Sequence, residues 1–147
     1  MRRHPAGAIA ALALLAACSS GPSAPAGWQP VAGATTTWSN GSGATLQTYT
    51  YAKKSFNGTL QELASQQAVD VVLRRRGAKF TQSTTFAPCP GMAAIASFTL
   101  GTDRLLEQGF AVQSDRAVLV TYVRPKSATF DPAVSKAMES ALCASGL

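Results

Sequence analysis

The sequence predicts an α+β domain in which an antiparallel β-sheet of about six strands packs against two helices. Segments rich in Thr, Tyr, Val and Phe alternate with short polar turns, as neighbouring antiparallel strands require. Two further segments carry apolar residues at helical spacing, each behind a capping residue. Residues 28–147 have a length that suits one domain with a single core.

The first two predicted strands, residues 35–38 and 45–52, form a hairpin. The Asn-Gly-Ser-Gly sequence between them, residues 40–43, is typical of a hairpin turn. The same four residues are no phosphate-binding loop, because they lack a lysine and do not connect a strand to a helix.

A helix is predicted over residues 60–76. Thr59 and Glu62 match a capping box, and Gly77 provides a C-terminal stop. The predicted buried face of this helix consists of Leu60, Leu63, Ala64, Ala68, Val71 and Val72.

Four more strands are predicted over residues 80–86, 92–100, 104–113 and 117–123. Short polar turns separate the last three, so we expect these three strands to be antiparallel neighbours. Residues 117–120 are apolar without alternation, which indicates a strand that is covered on both faces.

A second helix closes the chain. Asp131 is its predicted cap, Pro132 takes its first position, and Cys143 lies at its end. Its predicted buried stripe consists of Val134, Ala137, Met138, Ala141 and Leu142. The predicted element order is therefore β-β-α-β-β-β-β-α.

This order resembles the PsbP-like superfamily, whose members share an α/β/α sandwich. The matching segments are residues 55–60 before the first helix, 120–125 in the last strand and 139–143 in the closing helix. The resemblance covers residues 28–145 and is structural. The superfamily includes an extrinsic photosystem II protein, a nuclear-import factor that binds the GTPase Ran, and many bacterial lipoproteins. Because it is functionally diverse and largely not enzymatic, the resemblance informs fold more than activity.

The N-terminus reads as an export signal. Two arginines precede a short apolar segment, residues 6–16, and small residues follow it. Residues 15–18, Leu-Ala-Ala-Cys, resemble the lipobox of bacterial lipoproteins. The resemblance implies that residues 1–17 are a signal peptide and that Cys18 carries a diacylglyceryl group. In many bacteria a further acyl chain is added to the new amino group of that cysteine.

The expected location is the cell envelope, with the protein held by lipid to the outer membrane or to the outer face of the cytoplasmic membrane. Two or three acyl chains give stable attachment, whereas about eleven apolar residues are too few to span a bilayer. Residues 18–27 comprise the lipidated cysteine and a flexible tether. The alternative is an ordinary secreted protein in which Cys18 is a chance residue, but Leu15 at the −3 position does not suit general signal peptidase.

Two cysteines, Cys89 and Cys143, remain besides Cys18. In an oxidising compartment we expect them to form a disulfide, which would fix the last helix to the loop around residues 88–91. The alternative is a pair of free buried thiols.

Composition excludes several enzyme classes. The single histidine, His4, lies in the signal peptide, so the mature chain has no Ser-His-Asp or Cys-His site and no zinc site built on histidine. We therefore expect no enzyme, no cofactor and no metal. The seven acidic residues fall singly on helix faces, caps and turns. They are Glu62, Asp70, Asp103, Glu107, Asp115, Asp131 and Glu139.

One basic cluster stands out in a chain whose formal charge is +6, or +4 after the signal is removed. Arg74, Arg75, Arg76 and Lys79 are a candidate site for anionic lipid head groups or acidic wall polymers. The alternative is a solvated helix end that complements the helix dipole. Nucleic acid is not an expected partner, because the protein is expected to be exported from the cytoplasm and its sequence has no basic-aromatic pattern.

Two functions are compatible with these features. The first is a non-catalytic module that binds an envelope protein partner, and the alternative is a carrier or sensor of a small apolar or anionic ligand or lipid. A sheet face dense in aromatics without a cavity would favour the first, and a pocket of several hundred Å³ the second. The large aromatics expected to be partly exposed are Trp28, Trp38, Tyr49, Tyr51, Phe56 and Tyr122.

Overall fold

The computed structural model describes residues 22–34, 36–52, 59–86, 93–112 and 116–143. Within these ranges the chain is an α+β domain with one antiparallel sheet of seven strands and two helices. The strands are β1 (Gln29–Pro30), β2 (Thr37–Ser39), β3 (Thr45–Ala52), β4 (Ala78–Phe86), β5 (Ala93–Leu100), β6 (Arg104–Val112) and β7 (Arg116–Pro125). The helices are α1 (Leu60–Arg74) and α2 (Pro132–Cys143).

The strand order across the sheet is β1-β2-β3-β7-β6-β5-β4. Strands β5, β6 and β7 are antiparallel neighbours, which confirms that prediction. Strand β3 returns to pair with β7 along its whole length. In the described chain β4 is therefore an edge strand, with β5 as its single neighbour.

The sheet has one strand more than the sequence predicts. The additional strand is β1, in which Gln29 pairs with Ser39 and Pro30 with Trp38. A two-residue strand is too short to show alternation, and its proline is tolerated because the strand lies at an edge. The predicted hairpin of β2 and β3 is confirmed. Asn40 closes it, because its Oδ1 accepts hydrogen bonds from the amides of Ser42 (2.8 Å) and Ala44 (3.1 Å).

Both helices begin where the sequence predicts. Thr59 Oγ1 accepts from the amide of Glu62, and Glu62 Oε2 accepts from the amide of Thr59 at 2.8 Å, which completes the capping box. Helix α1 ends at Arg74, two residues earlier than predicted. At α2, Asp131 Oδ1 accepts from the amide of Ala133 at 2.8 Å. The five residues of the predicted stripe of α2 are all buried.

The two helices pack on opposite faces of the sheet, and β7 shows this most clearly. One set of its alternate side chains, Val118, Val120 and Tyr122, shares a buried cluster with α2. The other set, Ala117, Leu119 and Val123, is buried in clusters that include α1. The prediction that this strand is covered on both faces is thereby confirmed.

Candidate ligand-binding groove

An apolar groove of about 610 Å³ lies between α1 and the β4–β5 end of the sheet. The helix forms one wall, with Ala64, Ala68, Val69 and Val72 among its lining residues. Strands β4, β5 and β6 form the floor. The floor residues include Phe80, Ser83, Thr85, Ala94, Ala96, Gln108 and Phe110.

Small floor residues leave this space open. Helix α1 buries Leu63 and Val71 against β5, β6, β7 and Ala78 at the start of β4, whereas residues 79–85 of β4 are exposed. Beyond that contact the sheet presents Ala94 and Ala96, with Ser83 beside them on the edge strand. These side chains are small, so space remains between them and the part of the helix that lines the groove.

The exposure of Val72 is the resulting correction to the sequence prediction. This residue was expected on the buried face of α1, yet it lines the groove and is 43% exposed. Of the other five predicted residues, Leu63 and Val71 are buried and Leu60, Ala64 and Ala68 are half-buried. Helical periodicity identified the apolar face correctly, but it could not show that the face extends beyond the covered part of the sheet.

A buried amide lies in the floor of the groove. Gln108 is only 7% exposed and lines the groove. Among the described residues Arg124 Nε is the buried polar side-chain atom without a hydrogen-bond partner, so the Gln108 amide is not sealed off from the groove. A primary amide has two N–H donors and one acceptor oxygen, so this side chain can form hydrogen bonds with a polar group of a bound ligand. None of the described lining residues is charged. The groove therefore offers a mainly apolar surface with several neutral hydrogen-bonding groups. These are the side chains of Gln61, Ser65, Gln67, Ser83, Thr84, Thr85 and Gln108.

Comparison with known proteins finds no matching family model and no matching curated protein. The candidate site is therefore assigned from its own geometry.

Large apolar side chains surround one end of the groove. Val69 is 57% exposed, Leu73 is 77% exposed and Phe80 is 51% exposed. Phe80 packs edge-to-face on Phe98, with ring centroids 5.7 Å apart. The exposure of Phe80 carries no signal in the sequence, because its strand pattern is compatible with either face of the sheet. We call Val69, Val72, Leu73 and Phe80 the apolar rim.

The predicted basic cluster lies at the same end of the groove, but its four residues differ in position and in ion pairing. Arg74 forms an exposed ion pair with Asp70, with Nη2 and Oδ2 3.4 Å apart. Arg75 is the C-cap of α1, and Arg76 follows it in the exposed turn to β4. Lys79 is adjacent to Phe80 on β4, and successive strand residues point to opposite faces of a sheet. No acidic side chain of the described residues pairs with Arg75, Arg76 or Lys79.

The cysteine predictions concern residues at the margin of the described structure. Cys143 is the last residue of α2 and is half-buried. Cys18 and Cys89 lie outside the described residues. The disulfide and the lipid attachment therefore remain predictions.

The predicted exposed aromatics divide into two groups. Tyr49 and Tyr51 are exposed and stack with ring centroids 6.4 Å apart. Partial desolvation beside the sheet, together with the neighbouring Tyr49, raises the pKa of the Tyr51 hydroxyl. Trp28 and Tyr122 are buried, so the prediction was wrong for these two. Trp38 is half-buried, and Phe56 lies outside the described residues.

A smaller cavity of about 160 Å³ lies on the α2 face of the sheet. Glu107, Phe130, Met138 and Glu139 are among its lining residues. Burial raises the pKa of the Glu107 carboxyl above its usual range, and the nearby Arg124 guanidinium opposes this effect. Its volume is below the usual range for small-molecule sites. Across the described ranges, no group of three or more His, Cys, Asp or Glu residues could hold a metal ion, and no helix is long and apolar enough to cross a membrane.

Proposed function

We propose that this chain is a membrane-anchored cell-envelope lipoprotein whose domain is a non-catalytic carrier or sensor of a small apolar ligand. The ligand would bind in the groove between α1 and the β4–β5 end of the sheet. The volume of about 610 Å³ lies within the usual range for ligand sites. The envelope location rests on the lipobox, residues 15–18.

The observation that carries this proposal is a mainly apolar groove with an uncharged lining and the Gln108 amide in its floor. Ligand sites typically combine apolar walls with a small number of placed polar groups, and Gln108 supplies one of these groups. A hydroxyl, ester or amide of an otherwise apolar molecule would satisfy it. The neutral lining disfavours a ligand whose charge lies within the groove.

The fold supports a binding role rather than catalysis. Helices on opposite faces of one antiparallel sheet are compatible with the α/β/α sandwich of the PsbP-like superfamily, which we propose as the structural class. That superfamily is largely not enzymatic. The mature chain also has no histidine to act as a general base.

A protein partner is the second candidate function. The exposed and stacked pair of Tyr49 and Tyr51 favours it, because tyrosines are enriched at the centres of protein interfaces. This pair lies on β3, whereas the groove lies at the β4 end of the sheet. The two surfaces can therefore be tested separately.

The test is native mass spectrometry of the chain, produced with its signal peptide and isolated from the membrane fraction. Ser83→Trp places a large ring in the groove floor. Gln82→Trp is its matched control, because Gln82 is the exposed neighbour of Ser83 on the same strand and does not line the groove. We expect a small molecule at near-equal stoichiometry on the wild type and on Gln82→Trp, and its loss from Ser83→Trp.

Two results would contradict the carrier function. One is wild-type protein without any bound small molecule, accompanied by one dominant crosslinked protein that Tyr49→Ser removes. The other is equal ligand occupancy in Ser83→Trp and the wild type. The intact mass of the N-terminal peptide tests the lipoprotein assignment independently, because Cys18→Ser must abolish the acyl mass.

A further inference from the structure

We infer that the apolar rim and the adjacent Arg75 and Arg76 form a docking face for an anionic lipid surface. This face would place the open end of the groove against the membrane. The inference extends the proposed function, because it identifies where an envelope carrier would exchange an apolar ligand.

The apolar side of this face is unusual for a soluble surface. Three of the four rim residues are more than half exposed, and Leu73 is 77% exposed. They are contiguous, since Val69, Val72 and Phe80 line the same groove and Leu73 follows Val69 by one helical turn. Contiguous exposed apolar residues mark an interaction site far more often than scattered ones do.

The charge next to the rim indicates the chemistry of the partner. Arg75 and Arg76 continue the chain directly after the last turn of α1, whereas Lys79 points to the opposite face of β4 from Phe80. In the described part of the chain Asp70 is the acidic group paired in this region, and Arg74 already binds it. The two following arginines are therefore available to phosphate groups. Each basic residue near an anionic membrane contributes about 1 kcal/mol of attraction.

A lipid surface can bind both parts of this face, the apolar rim and the two arginines, at the same time. The long side chains of Arg75 and Arg76 can reach head groups while the rim enters the boundary between head groups and acyl chains. A groove without charged lining then opens towards the acyl chains, where an apolar ligand would be dissolved. An acidic protein would satisfy the arginines, but it would not require the rim and the groove to be continuous.

The experiment uses the mature chain, residues 18–147, with Cys18→Ser so that no lipid anchor contributes. Binding is measured by flotation with vesicles of phosphatidylcholine alone and of phosphatidylcholine with 30% phosphatidylglycerol, at two salt concentrations. We expect binding to the anionic vesicles that weakens with salt. Arg75→Gln and Arg76→Gln should each lower the partition coefficient by roughly fivefold.

Matched variants separate the contribution of the arginines from that of the apolar rim. Lys136→Gln removes the same charge from an exposed position on α2, on the opposite face of the sheet, and it should leave binding unchanged. Leu73→Ser should lower binding to anionic vesicles without changing its salt dependence. Circular dichroism confirms that each variant is folded.

Three results would overturn the inference: no binding to anionic vesicles, equal binding to both vesicle types, or an equal effect of Arg76→Gln and Lys136→Gln. Capture of a protein at the rim without vesicle binding would also overturn it. Failure of the proposed function is distinguishable, because a chain that binds anionic vesicles through this face but carries no ligand would refute only the carrier role.

Discussion

The indole Nε1 of Trp28 donates a hydrogen bond of 3.0 Å to Oδ2 of Asp131, and this contact joins residues 103 positions apart in the chain. Trp28 lies just before β1, and Asp131 is the residue before α2. The other oxygen of Asp131 accepts from the amide of Ala133. One carboxylate therefore connects the N-terminal segment of the domain to the start of its last helix.

Breaking this contact should destabilise the domain in a way that a double-mutant cycle detects. Trp28→Phe keeps an aromatic ring beside Tyr122 but removes the N–H donor, so we expect a loss of about 1.5–3 kcal/mol, as for a hydrogen bond to a charged group. Asp131→Ala also removes the cap of α2, which contributes about 0.5–2 kcal/mol more. Urea unfolding of both single variants and the double variant gives the coupling energy. A coupling below about 0.3 kcal/mol would show that the contact does not contribute.

A second prediction concerns Gly109, which lies on β6 under α2. A Cβ atom at this position would lie 3.0 Å from Leu142 Cδ1 and 3.5 Å from Met138 Cε. Both neighbours are buried, so they have little room to move. Gly109→Val should therefore destabilise the domain by about 1–3 kcal/mol, the usual range for overpacking. We expect thermal unfolding to show a smaller effect of Gly109→Val when Leu142→Ala is present. Equal effects in both backgrounds would contradict the steric explanation.

The elements that the sequence predicts well are those with local signals. The capping box of Thr59 and Glu62, the Asp131 cap and the stripe of α2 each depend on residues within one or two turns. The burial of β7 on both faces can also be predicted from the sequence, because an unbroken apolar run indicates a strand that is packed on both sides.

The features that the sequence did not predict depend on distant contacts. Trp28 is buried because Asp131 accepts from its indole, and no local pattern reports a partner 103 residues away. Val72 is exposed because it lies on the side of α1 that lines the groove, where residues 79–85 of β4 are also exposed. The groove arises from the position of α1 over the sheet and from the small side chains of Ala94 and Ala96 in its floor. It could be inferred only once helix and sheet were placed relative to each other.

The disulfide between Cys89 and Cys143 is a third testable prediction. On the chain-entropy model, closing a loop of roughly fifty residues stabilises a domain by about 3–4 kcal/mol. We therefore expect a reducing agent and Cys143→Ser to lower the free energy of unfolding to the same extent. Cys18→Ser serves as the control and should not change it. Two reactive thiols in denatured but unreduced protein would contradict the prediction.

The fourth prediction is a pH-dependent effect of Glu107. Burial raises the pKa of this carboxyl above its value of 4.5 in an unfolded chain, so the folded domain binds the proton more tightly than the unfolded chain does. The resulting stabilisation is fully present below pH 4.5 and is lost as the pH rises through the raised pKa. Glu107→Gln keeps the neutral form at every pH. Its stability relative to the wild type should therefore increase between pH 4 and pH 7.

Glu62 provides a control of opposite sign. Hydrogen bonds from the Thr59 amide and hydroxyl lower the pKa of its exposed carboxyl, so its contribution is present above the unfolded value and is lost as the pH falls. Glu62→Gln should therefore be less stable than the wild type at pH 7, and this difference should shrink as the pH falls to 3. Urea unfolding from pH 3 to pH 8 measures both variants. The stability of Glu107→Gln relative to the wild type could instead stay constant with pH or increase as the pH falls. Burial would then not determine the pKa of this carboxyl. The Arg124 guanidinium, which favours its charged form, would then be the dominant influence.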